Sequence, residues 1–274
     1  MTVLAQRAFH MVCAKESWQA ATRYEDDFKA AFRSMETFIG RYDGHLDFAG
    51  KTILDVGSGL GSPAILMARR GAARVVGVDI VPRNVDFARR KLASEHADVA
   101  DRVEFRLIRE FAELGDERFD LVISKDSFEH YADPEGFVPA MLDLLVPGGE
   151  LAIGFGPLWK SPYGGHIKYM TRLPWAHLLF SEQVVLRERE RFFPDQRVTS
   201  YGEIVGGLNQ MTLARFEAII AANRLEQVYF RANASRHPAA PLFSLASRLP
   251  FAREYLTFNL YGLWRAKSGS RMVG

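Results

Sequence analysis

The spacing of apolar residues changes near residue 51. Before it, Trp18, Tyr24, Phe28, Phe32, Met35 and Phe38 recur at intervals of three, four and six, which suits one helix face, so residues 1–50 read as helical. Core packing is the plain role of such a face. From Lys51 onward, short apolar runs alternate with helical stretches. Strands are predicted at Thr52–Val56, Arg74–Val78, Val103–Ile108, Phe119–Ser124 and Glu150–Phe155. Helices are predicted from Ser62-Pro63 to Gly71, over Asn84–Ala97 and over Pro134–Val146. Ser62 and Asp133 each precede a proline and read as N-caps, and Gly71 reads as a C-terminal stop. Pro147-Gly148-Gly149 makes a turn. Strands alternating with helices imply an α/β fold, a doubly wound and mostly parallel sheet with right-handed crossovers. Its strands are apolar runs, as expected when both faces are covered. Residues 157–210 break the rhythm. They are rich in glycine, proline and aromatics and contain the run Arg187–Phe192 (RERERF), which reads as a solvated helix face. Afterwards a helix capped by Thr212 runs to Asn223, followed by strands at Leu225–Arg231 and Leu256–Ala266. The expected organisation is a helical cap (1–50), a ligand-binding core (51–156), an inserted lid (157–210) and a segment completing the sheet (211–274).

Composition narrows the class. The chain has 274 residues, 48% hydrophobic and 25% charged, which is ordinary for a folded domain. Lysine and arginine number 35 against 33 acids, a formal net charge of +2, so no nucleic-acid partner is expected. The single cysteine, Cys13, excludes an internal disulfide and fits a reducing compartment, so a cytoplasmic location is expected. The first residues lack a basic stretch followed by a long apolar one, and no run approaches the roughly 18 apolar residues of a membrane span. Self-association is left open.

The most informative stretch is Asp55-Val56-Gly57-Ser58-Gly59-Leu60-Gly61, at a strand-to-helix turn, followed by Asp79 at the end of the next strand. Glycines there let a ligand approach the backbone closely. The carboxyl edge of an open α/β sheet is where ligands bind, and an acid at the second strand's end can accept hydrogen bonds from both ribose hydroxyls. The alternative is three glycines used only for packing. The spacing is G-x-G-x-G rather than the dinucleotide fingerprint G-x-G-x-x-G, and Asp55 lies two residues before it. A carboxylate so placed suits a positively charged ligand better than a pyrophosphate. S-adenosyl-L-methionine, with its ribose, sulfonium and amino group, meets these demands.

The successive stretches DVGSGLG, VVGVD, FDLVISKDSFEH and LLVPGGELAI resemble the motifs of class I S-adenosylmethionine-dependent methyltransferases, type 11-like, over roughly residues 50–156. The resemblance implies a Rossmann-like seven-stranded sheet whose last strand is antiparallel. It also implies that Asp55, Gly57 and Gly59 hold the methionine end of the donor, with Ser58 and Gly61 in the same loop. Asp79 would hold the ribose, with Ile80 beside it, and Ser124 would face the donor. The family often has an Asp-Ala pair after the third strand, near the adenine. Here Glu110 and Phe111 take those places, a departure that bears on that contact only.

Methyl transfer from a sulfonium depends chiefly on positioning, and a hydroxyl acceptor also benefits from a general base. Among seven histidines, His166 and His130 are the candidates. His166 lies in the glycine-bearing insertion between Tyr163 and Tyr169, and is expected either to act as base or to order its own loop. His130 follows the fourth strand, where Asp126 and Glu129 share its loop. No metal-binding spacing occurs, so no metal is expected. Trp159, Tyr163, Tyr169, Trp175 and Phe180 crowd the insertion and suggest a lid over an acceptor pocket, with Tyr24 closing the other side. The function expected is methyl transfer to a small organic acceptor, oxygen favoured over carbon or nitrogen. An RNA or protein methyltransferase and a non-catalytic S-adenosylmethionine binder are the rivals.

Overall fold

The computed structural model describes residues 3–14, 24–204, 207–233 and 240–266; Trp18 and His237 lie outside them. Seven strands form one sheet in the order β3-β2-β1-β4-β5-β7-β6. They are β1 (Thr52–Val56), β2 (Arg74–Asp79), β3 (Val103–Leu107), β4 (Phe119–Lys125), β5 (Leu145–Phe155), β6 (Glu226–Ala232) and β7 (Leu260–Arg265). The first five run parallel, and β7 is antiparallel to both of its neighbours, as the resemblance implies. Adjacent residues of the central strands enter opposite cores. Ile53, Val75, Leu121 and Ile123 join one cluster; Leu54, Val56, Val76 and Val122 join the other. With side chains alternating at period two and both faces buried, the strands must read as unbroken apolar runs.

The helices are α1 (Val3–Met11), α2 (Tyr24–Gly40), α3 (Ser62–Arg69), α4 (Pro82–Glu95), α5 (Pro134–Asp143), α6 (Ala176–Leu179), α7 (Glu182–Arg189), α8 (Leu213–Ala222), α9 (Ala240–Ala246) and α10 (Pro250–Leu256). Asp133 and Thr212 cap α5 and α8 as expected, accepting from Gly136 N–H and Arg215 N–H. Ser62 does not cap α3. Gly61 holds that position with φ of 92°, while the Ser62 hydroxyl donates to the Phe28 carbonyl at 2.7 Å and fastens α2 to α3. The predicted turn at Pro147 lies inside β5, which starts at Leu145 and shifts register on β4 between Phe119 and Leu121.

Between β5 and α8, the described residues of 157–210 form a third apolar cluster with α1. Phe9, Ile167, Met170, Val184, Val185 and Tyr201 are buried in it. The arginine-glutamate run is not a solvated face. Glu188 and Arg189 are buried; Glu188 accepts from Gln6 and His10 of α1, and Arg189 donates to the Gln196 carbonyl and side chain. Those partners lie on α1 and beyond the end of α7, so the helix's own pattern of charges does not reveal them.

Candidate active site

The carboxyl ends of β1, β2, β4 and β5 carry the candidate residues. After β1 the chain turns upward, with Gly57 and Ser58 N–H both donating to the Val78 carbonyl at 2.9 Å. The Asp79 carboxylate closes the loop from the side: it accepts from Gly59 N–H at 2.9 Å and from Val81 N–H at 2.8 Å. Above Gly59 the space is open, and no atom lies within 4 Å of where a Cβ would stand. Asp55 is buried with its Oδ2 lacking a partner among the described residues, and Ser58 Oγ is buried in the same condition. Ile80 next to Asp79 is 70% exposed, an apolar surface at the site's edge. A backbone floor, a strand-end carboxylate, a bare apolar side chain and a buried acid fit a ligand with a sugar diol, a flat base and a cationic tail, the features of S-adenosylmethionine.

Burial raises the Asp55 pKa to about 7, the Asp79 charge adds to the rise and Lys125 opposes it. Burial also raises Asp79, against hydrogen bonds from Val81 and Gly59. An acid raised in the fold keeps a proton that the unfolded chain loses between about pH 4 and pH 7. Stability from this group therefore falls as pH rises through that window, at about 1.4 kcal/mol per pH unit, and levels off above it. Asp55→Asn removes this slope. In denaturant titrations the variant should gain on the native chain between pH 5 and pH 8, while binding a cationic ligand more weakly at pH 8. Equal pH dependence in the two proteins would remove the assignment. Glu129, buried and raised to about 8, contributes to both alike.

The remaining donor-side candidates are placed as follows. Glu110 is exposed and caps a short 3-10 turn (Phe111–Leu114) in a reciprocal capping box with Glu113. Phe111 stands edge-on to Phe137, ring centroids 5.3 Å apart. Ser124 does not face an open crevice; it is fully buried and its hydroxyl meets the Tyr131 hydroxyl at 2.9 Å.

On the acceptor side the fold brings the two histidine candidates together. Their ring centroids are 5.7 Å apart and their planes nearly perpendicular. Each is anchored by a backbone carbonyl: His130 Nδ1 donates to Gly207 at 2.6 Å, and His166 donates to Pro157. His166 Nε2 is buried without a partner among the described residues. Burial first, and the neighbouring His130 second, lower the His166 pKa to about 4. Asp126, held at φ of 50°, pairs with Lys125 at 2.6 Å.

The aromatic candidates serve packing more than a pocket. Trp159 stands edge-on to His177 and Tyr201, Tyr169 edge-on to Phe192 and Phe193, and Phe180 lies tilted against Phe9, in and around the third cluster. Tyr24 leans on Phe87 in the core, and Tyr163 donates to the Arg172 carbonyl. Sequence reasoning missed Lys125, Arg33 and Arg41, which line a cleft with Asp126; a helix in one part of the chain and a strand end in another make it together.

Residues 54–153 match the methyltransferase domain family. Over this stretch the chain is similar to the class I S-adenosylmethionine-dependent methyltransferases. The chain is 40% identical over 122 residues to a ubiquinone biosynthesis O-methyltransferase of Neisseria meningitidis, covering 44% of this chain and 49% of that protein. It is 35% identical over 148 residues to the 27-O-demethylrifamycin SV methyltransferase of Amycolatopsis mediterranei, covering 52% of each. The chain thus spans about half the length of these curated relatives. Among solved structures, the geranyl diphosphate C-methyltransferase of Streptomyces coelicolor superposes with a TM-score of 0.55 at 16% identity, covering 90% of this chain and 85% of that one. That likeness extends the fold beyond the methyltransferase core. Among the described residues, no helix is long and apolar enough to cross a membrane.

Proposed function

We propose that this protein is an enzyme that transfers a methyl group from S-adenosylmethionine to a small organic acceptor, with an oxygen as nucleophile. The observation that carries the reading is the open space beside Gly59, whose N–H the Asp79 carboxylate holds, with the buried Asp55 at the end of the preceding strand, all within the matched methyltransferase stretch. Oxygen is favoured because the curated relatives named above include an O-methyltransferase of ubiquinone biosynthesis and a methyltransferase of a 27-O-demethylrifamycin.

Bound in this gap, S-adenosylmethionine supplies an activated methyl group for in-line displacement. The chain's residues do the positioning. Asp79 holds the ribose hydroxyls, the loop Gly57–Gly61 meets the methionine end with its backbone, and Asp55 faces the amino group. Glu110 and Phe111 border the adenine, and Asp126 borders the acceptor. His166 is neutral at physiological pH, fixed through one ring nitrogen, and its Nε2 is free to accept a proton from an acceptor hydroxyl. His130 stands against it and restricts its ring. The insertion 157–210 acts as the lid on this side.

Calorimetric titration checks the donor. Heat is expected with S-adenosylmethionine and none with NAD, because the loop offers no helix N-terminus framed by the dinucleotide spacing. Binding of NAD alone would reverse the assignment.

A further inference from the structure

Between β6 and β7 the chain leaves the sheet at its carboxyl edge, where Ala232 ending β6, Leu260 opening β7 and Phe155 ending β5 lie in register. The described part of this connection holds α9 and α10, and it does not pack as its neighbour does. The adjoining α8 buries Leu213, Phe216 and Ile219, whereas α10 buries no residue. Leu242, Leu245, Leu249 and Phe251 are between 50% and 78% exposed, and Tyr255 is exposed as well. Leu242 and Leu245 stand three apart on α9, and Phe251 and Tyr255 four apart on α10, spacings that put each pair on one helix face; Leu249 lies at the turn between. Polar groups fasten the two helices to the molecule. Glu254 accepts from Ala214 N–H at 2.6 Å and lies 3.8 Å from Lys160 Nζ, and Arg253 pairs with Glu217 of α8. Large apolar side chains gathered on an exposed surface mark a place where something else binds.

Charge tells what that partner is. From Gln227 onward the sequence has seven lysines and arginines and one acid, Glu254, whereas the whole chain has 35 against 33. Arg231, Arg253 and Arg265 are balanced by Asp43, Glu217 and Glu150. Arg236, Lys267 and Arg271 lie outside the described residues. Arg248, between Leu245 and Leu249 in the chain, is exposed, and its guanidinium has no hydrogen bond or ion pair among the described residues. A second copy of this chain would set the same positive charge against itself. An anionic lipid surface accepts both kinds of group: apolar side chains enter the acyl boundary, while the guanidinium stays among the phosphates with its stem along apolar neighbours. We propose that α9 and α10 form an interfacial docking element through which this protein binds anionic bilayers. The connection leaves and rejoins the sheet at the edge where β2 and β4 also end, the edge that carries the candidate active site. Lipid binding is independent of the methyl-transfer reading.

The test sediments the full chain with vesicles of phosphatidylcholine alone and of phosphatidylcholine mixed equally with phosphatidylglycerol. The chain should partition about tenfold or more strongly onto the mixed vesicles, and added salt should release it. Leu245→Asp combined with Phe251→Asp should lower that binding about tenfold or more, because each change puts a charge where an apolar side chain enters the lipid. Arg248→Ala should lower binding to the mixed vesicles about fivefold, the factor for one basic residue at an anionic surface, and leave binding to phosphatidylcholine unchanged. These side chains are exposed, so both variants should melt at the native temperature. Leu4→Asp, on the exposed side of α1, should bind as the native chain does. Equal binding to the two vesicles, no binding to the mixed ones, or binding that the paired substitution leaves unchanged would overturn the proposal. So would loss of binding in Leu4→Asp alone, which would move the membrane contact to α1. A chain that ignores vesicles, and sediments without lipid as a dimer that the paired substitution splits, would instead assign the face to a second copy.

Discussion

An Asp79→Ala variant is expected to bind S-adenosylmethionine about ten- to a hundredfold more weakly than the native chain, because hydrogen bonds to a charged acceptor contribute about 1.5–3 kcal/mol. The carboxylate sits at the strand end with both oxygens accepting from backbone, Gly59 N–H and Val81 N–H. The Asn84 side chain and Ile80 N–H donate to it as well, so a ribose diol would exchange with part of this donor set. Alanine removes both roles, so the loop loses its side support as well. Asp79→Asn separates the two effects. It keeps one acceptor oxygen and loses the charge, and should fall between alanine and the native chain. Calorimetry gives the affinities, and thermal melting in the absence of donor reports the loop's contribution. Native affinity in Asp79→Ala would remove the ribose assignment.

Gly59 and Gly61 should respond in opposite ways to the same added methyl group. Gly61 has φ of 92°, and a Cβ there would stand 2.6 Å from Phe105 Cζ and 2.8 Å from Ala88 Cβ. Backbone strain of about 1–2 kcal/mol adds to overpacking of about 1–3 kcal/mol, so Gly61→Ala should cost about 2–5 kcal/mol. For a chain of this size that lowers the melting temperature by about 5–15 °C. Gly59, at φ of 55°, has open space around its missing Cβ. Gly59→Ala should cost only about 1–2 kcal/mol of stability, yet its methyl projects into the proposed donor gap. Donor affinity should therefore collapse in a protein that still folds. A Gly59→Ala variant that binds normally would move the donor elsewhere.

The sheet was legible because its cause is local. Ile53 and Leu54 enter opposite cores, so no polar residue interrupts the run, and the glycine turn follows within a few positions. The residues proposed for the donor could be singled out for the same reason: Asp55, the loop and Asp79 belong to one strand-helix-strand unit. What escaped depends on distant partners. Ser62 looks like a cap until the Phe28 carbonyl takes its hydroxyl. Glu188 looks solvated until Gln6 and His10 arrive from the other end of the chain. The insertion's aromatics point to a pocket until α1 shows that they fill an interior of their own. The cationic cleft has no sequence signature, since Arg33 and Lys125 meet only through packing of α2 on the sheet.

That separate interior has a consequence for how the acceptor gets in. Residues that share an apolar interior give way together. The insertion's seams to the sheet gather at its two ends: Leu158 N–H to the Phe258 carbonyl and Trp159 N–H to Met211 at one, and at the other Asn209 N–H to Glu129, the Asn209 amide to the Phe128 and Tyr131 carbonyls, and the Gly207 carbonyl to His130. Swinging about those seams, the block would pull on His130 through Gly207 and carry His166 off the loop after β4, breaking the arrangement of the two rings. Admission of the acceptor and dismantling of the histidine pair would then be a single event, and the proton-accepting arrangement would exist only behind a shut door.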